Sequence, residues 1–350
     1  MEPRKIQQVG KSTLTVSLPS DWAERYGVEK GDHVYLFSGN DSSLTIYPSV
    51  SGSVSVTKVT LDAEGRPPIV VERSIVGSYV LGRKEIVIES ESEEGLTDAQ
   101  TDAIYRAEEQ LMGAGVIEER PSKAVLRFSV NPSEFSVNDL LGRLNSTAET
   151  MRAEAVETVR DPTEDLPRRG ADREKHANKV FVLILRLLLT AQQNPVLVDK
   201  IGLTNPLHIV GARAAAKSLE RCADYAAEMS ENAEEATREG EDGSPFEDEL
   251  VDGLEDLIDL TDSVCDHALE SLRRGDIDAA TQTRDLFEDV RAKQEELVSE
   301  AFEDLDDVKS LMRFNDTVSA ATQSAKEGVE IAEVGSNRAL ESSGDGIELE

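Results

Sequence analysis

Glu220 and Asp224, within Leu219-Glu220-Arg221-Cys222-Ala223-Asp224-Tyr225, stand four positions apart, one turn of a helix. Like charges at that spacing cost an exposed helix roughly 0.2–0.5 kcal/mol, and a cation seated between them reverses the sign. Oxygen ligands from neighbouring helices would complete a site for iron or another hard divalent metal. The spacing recurs at Asp285 and Asp289, and Glu174 precedes Asn178 by the same four positions. In a chain with 70 acidic residues among 350, such pairs also arise as ordinary solvated helix faces. The four histidines, His33, His176, His208 and His267, form no ligand spacing, although His176 lies beside Glu174.

A different chemistry sits at the N-terminus. Arg4, Lys5 and Lys11 crowd together with Ser12, Thr13 and Thr15. Lysine and arginine neutralise phosphates, and hydroxyls bond phosphate oxygens or base edges. The charge balance sharpens the contrast. Residues 1–50 hold five Lys/Arg against six Asp/Glu, while the remaining three hundred hold thirty-two against sixty-four, and the whole carries −33. A nearly neutral head on a very acidic body is suited to touch a polyanion that the body repels. Three cations on a strand are equally an ordinary surface, since the electrostatic footprint is small.

Composition narrows the classes. No GxSxG, phosphate-cradling glycine loop or HExxH is present, and nothing supplies a nucleophile or positioned base beside the carboxylates, so a non-enzymatic role is expected. The acid excess, with arginine outnumbering lysine, is that of a protein adapted to high internal salt, a halophile. Cys222 and Cys265 stand without a CxxC pattern, so neither a disulfide nor structural zinc is expected. The longest apolar run, Val180 to Leu189, is interrupted by Arg186 and too short to span a bilayer, and no apolar N-terminal leader is seen. A cytoplasmic protein is expected.

The positioning elements read as three regions. Residues 1–50 give two short strands about Gly10, a helix capped by Ser20 or Asp21 and ended by Gly27, and strands at Val34–Phe37 and Leu44–Tyr47. So small a unit has too little core to stand alone, and a second copy is the expected remedy. Residues 55–131 read as a small α/β domain. Its strands are expected at Ile69–Val71, Ile86–Ile88, Val116–Ile117 and Val125–Phe128, its helices at Ser74–Leu81 and Thr97–Met112. Residues 133–340 read as six long helices: Val137–Val159, Asp172–Gln193, Pro206–Arg238, Pro245–Arg273, Asp276–Glu303 and Val308–Leu340. Their order suggests a duplicated three-helix unit with a joint near 239–245, before an acidic tail at 341–350.

The stretch from Lys5-Ile6-Gln7-Gln8-Val9-Gly10-Lys11-Ser12 through Leu18-Pro19 to Gly31-Asp32 resembles the swapped-hairpin domain of SpoVT/AbrB-type regulators. That resemblance implies an interleaved homodimer binding DNA through Arg4, Lys5 and Lys11, joined by Arg25; other relatives are antitoxins or merely dimerise. The helical part resembles PhoU, the phosphate-uptake regulator. Leu219-Glu220-Arg221-x-x-Asp224-Tyr225 is similar to its repeated E/DxxxD signature, and Ile331-Ala332-Glu333-Val334 with Asn337-Arg338-Ala339-Leu340 to the end of its second repeat. The resemblance implies clusters of iron or another metal. Two motifs depart from it: Glu174-x-x-x-Asn178 has an amide for a carboxylate, and Thr322-x-x-x-Lys326 holds no metal ligand pair. The arrangement looks like archaeal, and with this composition haloarchaeal, PhoU/AbrB fusions. It implies a regulator of phosphate homeostasis whose partners are promoter DNA and a phosphate-transporter ATPase or signalling protein. The alternative is an adaptor without DNA binding.

Overall fold

The computed structural model describes the chain except residues 1–2, 12, 39–43, 49–57, 161–165, 240–245 and 343–350. Two compact units emerge, one up to residue 59 and one from residue 60 onward. In the first, β1 (Gln7–Val9) and β2 (Thr13–Thr15) form an antiparallel hairpin pairing Gln7 with Thr15 and Val9 with Thr13. Gly10 turns it at φ +72°, a left-handed conformation that glycine enters without steric cost. Helix α1 (Ser20–Tyr26) ends at Gly27, also left-handed. The expected cap at Ser20 or Asp21 is not made: Pro19 is the N-cap, and no side chain caps the helix. β3 (Val34–Ser38) and β4 (Leu44–Pro48) form a second antiparallel pair. No described residue of this unit is buried, so the small-core expectation holds.

The second unit opens with a four-stranded sheet in the order β5-β6-β8-β7, formed by Lys58–Asp62, Glu85–Glu89, Lys123–Phe128 and Ala114–Arg120. β8 pairs antiparallel with both β6 and β7. Two helices connect the strands: α2 (Pro68–Val80) and α3 (Asp98–Glu109), the latter entered through a capping box between Thr97 and Gln100. Ile69–Val71, expected as a strand, is instead the first turn of α2. Pro67 caps that helix, and Pro68 sits where its missing N–H costs nothing. Only Val71 of the β-branched run is buried, on the helix face that continues through Ile75 and Tyr79, while Ile69 is 49% exposed.

Six helices follow close to their expected bounds: α4 (Val137–Arg160), α5 (Leu166–Gln193), α6 (His208–Glu239), α7 (Asp248–Arg274), α8 (Ile277–Asp304) and α9 (Val308–Ser342). Within α4–α6, and again within α7–α9, each helix packs on the other two; α6 lies along α9 and α4 along α7. The architecture is therefore a pair of three-helix bundles joined along that seam. Two apolar cores fill it, one centred on Leu144, Leu183 and Leu219, the other on Leu257, Val290 and Phe314. The joint between the bundles, 240–245, and the tail from 343 lie outside the described residues.

Arg186, which interrupts the apolar run of α5, has a structural role. It is 3% exposed and reaches into the sheet region, its guanidinium 4.6 Å from the Tyr79 ring centroid. It donates to the carbonyls of Tyr79 and Arg83, at and just beyond the end of α2. One cation thereby bonds two carbonyls at the end of α2 and ties the sheet region to the first bundle.

Candidate functional site

The hairpin places Arg4 and Lys5 just before β1 and Lys11 at the turn, all exposed. The intervening strand, rising about 3.3 Å per residue, holds them at opposite ends of the hairpin rather than in one cluster. Thr13 and Thr15 lie on β2, and the Thr15 hydroxyl donates 3.3 Å to the Gln7 carbonyl, so it is partly occupied within the hairpin. Ser12 lies outside the described residues. Arg25 is exposed in the last turn of α1. Apolar side chains are exposed in this unit as well: Ile6 68%, Val9 57% and Leu14 68% in and beside the first strand pair, Leu36 61% and Leu44 57% in the second.

In the first bundle, Glu220 and Asp224 of α6 come within electrostatic reach of Glu174 on α5. Asp224 is pushed up to about 6, by burial first and then by Glu220; Lys217 opposes this, and Glu174 adds to it. Lys217 is ion-paired with Glu220, and its ammonium lies 5.4 Å from the Phe181 ring centroid. A protein ammonium thus already neutralises Glu220. Among the described residues no group of three or more His, Cys, Asp or Glu is placed to hold a metal ion. As arranged, these side chains do not fit a metal. Asp285 and Asp289 lie exposed on α8, apart from the first-bundle carboxylates, while their neighbour Arg284 pairs at 3.0 Å with Glu333.

The densest polar constellation lies on the seam between the bundles. Arg152 of α4 is fully buried, donating 2.7 Å from Nε to Asp262 on α7 and 2.8 Å from Nη1 to Ser324 on α9. Two turns earlier on α4, the amide of Asn145, 3% exposed, donates both to Glu149 and to Asp266 of α7. Glu149 is pushed up to about 7, chiefly by burial, then by Asp266 and Asp262, with Arg152 pulling the other way. Cys222 and Cys265, far apart in the chain, both point at the Ser324 carbonyl at 3.5 and 3.9 Å. Their mutual hydrogen bond lowers the Cys222 thiol and raises Cys265, so the thiols do not stand alone.

Sequence reasoning missed this seam although two signals were present. Asp262-x-x-x-Asp266 and Asn145-x-x-x-Glu149 carry the same one-turn spacing as Glu220 and Asp224. Arg152 also falls on the apolar face that carries Ala148, Met151 and Ala155, where only a paired cation is tolerated.

Glu149 fixes a pH dependence. In the fold it stays protonated up to about pH 7, whereas the unfolded chain releases that proton near 4.5. The native state therefore binds more protons between these values, and stability falls as pH rises through that window. Glu149→Gln is expected to stabilise the helical unit at pH 8 by on the order of 1–2 kcal/mol after solvent screening. It should do little at pH 4. Urea unfolding at both pH values checks this; equal effects at both would refute it.

Comparison with known proteins accords with this architecture. Residues 141–233, most of the first bundle, match the PhoU domain. Residues 7–53 match the MazE family, described as the antidote-toxin recognition module of a bacterial antitoxin; the match begins after Arg4 and Lys5. The crystal structure of PhoU from Pseudomonas aeruginosa superposes with a TM-score of 0.50 at 17% identity, covering 59% of this chain and 96% of that one. That likeness extends the fold relationship beyond the matched first bundle. No curated protein matches the chain. No helix among the described residues is long and apolar enough to cross a membrane.

Proposed function

We propose that this chain is a dimeric, non-enzymatic regulator of phosphate uptake and homeostasis whose N-terminal head binds promoter DNA. The observation that carries the reading is the union, in one chain, of a MazE/AbrB-type head with a PhoU domain. The head exposes its strand apolar residues and has no buried described residue, so a second copy is the natural cover. Pairing two hairpins also doubles the cations to six and brings separate hairpin ends to one surface. The charge of −33 confines DNA contact to that surface, since the acidic helical unit is repelled by phosphate.

The helical unit supplies the response. An effector must favour one arrangement of the bundles over another, because a ligand without that preference shifts nothing. No part of this account is routed through a metal. The match to an antitoxin family favours a second reading: the head only pairs chains, and control runs by contact with the phosphate-transporter ATPase or a signalling partner. A gel shift against the protein's own and transporter promoters, at high potassium chloride, separates the two. A sequence-specific shift by a dimer is expected. Absence of any specific shift across salt concentrations, with the dimer intact, would favour the adaptor.

A further inference from the structure

An open groove of about 530 Å³ runs over α4, flanked by α5 and α7. Its walls carry Arg143 of α4, Arg173 and His176 of α5, and Arg273 of α7. In a chain with nearly two acids per base, cations ordinarily find carboxylate partners, and Arg173 does, gripping Glu154 through two 2.9 Å bonds. Arg143 and Arg273 do not: among the described residues neither reaches a carboxylate within ion-pair distance.

Local geometry brings these two together. Arg273 lies across α4 with Nη2 3.5 Å from the Asn138 carbonyl. A Cβ built on Gly142 would come within 2.5 Å of that nitrogen, so the guanidinium tip rests against the bare glycine backbone. Gly142 directly precedes Arg143, so the Arg273 guanidinium, reaching over from α7, ends against the α4 residue next to Arg143. Two cations lining one groove without a carboxylate at ion-pair distance favour an anion placed between them. Ser146 adds a hydroxyl to the same wall, whereas the Thr147 and Thr150 hydroxyls are spent on backbone carbonyls. Two carboxylates also face the groove, Asp139 and Asp266. Asp266 is engaged by the Asn145 amide, and Asp139, one turn from Arg143, is the carboxylate an incoming anion must avoid.

We propose that this groove binds a small phosphate-bearing anion, held bidentately between Arg143 and Arg273. The assignment of phosphate among oxyanions rests on the regulatory reading above; the groove itself does not. Because it abuts the Asn145–Glu149–Asp266 contacts between α4 and α7, occupancy would bear on how the bundles meet. The shared chemistry is the phosphate group, whether free or carried on a nucleotide or phosphate chain.

Calorimetric titration of the full chain with orthophosphate, tripolyphosphate and ATP tests this. Saturable binding by at least one is expected; orthophosphate alone identifies the free ion, and only the others binding identifies a phosphate chain. Arg143→Ala, an exposed position that leaves the fold intact, should weaken binding about tenfold or more. Arg273→Ala should do likewise, while Arg213→Ala on the exposed face of α6 should change nothing. No saturable binding by any of the three, or equal affinity in Arg143→Ala, would overturn the proposal. A specific promoter shift without anion binding sinks this inference alone; anion binding without any shift sinks the DNA reading alone.

Discussion

Arg152→Ala is expected to destabilise the helical unit by about 3–5 kcal/mol, because removing one partner of a buried ion pair strands the other. The side chain is fully buried, and its guanidinium serves Asp262 and Ser324 on two helices of the other bundle. Truncation leaves a cavity as well as the uncompensated Asp262, which is itself pushed upward, first by burial. The loss should grow with pH. Without the cation, Glu149 and Asp262 are raised further, and a raised carboxyl loses its favourable contribution as pH climbs through its folded value. Arg152→Met combined with Asp262→Leu should recover most of the loss, since a well-packed apolar pair replaces a buried ion pair at little cost. Urea unfolding followed by helical circular dichroism reads both. A loss under 1 kcal/mol for Arg152→Ala would mean that the seam does not join the bundles.

Joint replacement of Arg4, Lys5 and Lys11 by alanine is expected to have the other large effect, on DNA affinity rather than stability. All three are exposed in the hairpin unit, so the fold should survive. Three cations per chain give six per dimer, and six phosphate contacts predict a log K against log salt slope of about −5. The triple variant should lose at least about a hundredfold in affinity at moderate salt and most of that slope. Because Arg4 and Lys5 sit at one end of the hairpin and Lys11 at the other, single substitutions should be unequal. The end nearer the duplex in the paired head will dominate.

Much of the fold was legible because local signals and global packing agree. The six long helices fell near their expected bounds since Pro, Gly and Asn punctuation coincides with the ends of apolar periodicity. At Ile69–Val71 the two disagreed. Three β-branched residues read as a strand, but Pro67-Pro68 opens a helix, and packing against the sheet overrides propensity. β5 went unread because Lys58–Asp62 is a short, half-exposed edge strand whose one sheet neighbour, β6, follows only after α2. The hairpin residues were found because their chemistry is contiguous. The seam was not, because Arg152 meets Asp262 and Ser324 across more than a hundred positions, and the spacing of its carboxylates is common in so acidic a chain. The thiols of Cys222 and Cys265 meet in the same place for the same reason. Glu220 and Asp224 stand in a metal-binding spacing, yet as folded Glu220 already has a cation in Lys217.

The central claim is that the paired head is the DNA-binding surface of an otherwise repellent molecule. Its most direct test is fluorescence anisotropy of a labelled promoter fragment, titrated with wild-type and triple-alanine protein over a series of potassium chloride concentrations. The account predicts one dimer per site, a steep salt dependence for the wild type, and a strongly flattened one for the variant with its dimer intact. Equal affinities and slopes for the two proteins would contradict it.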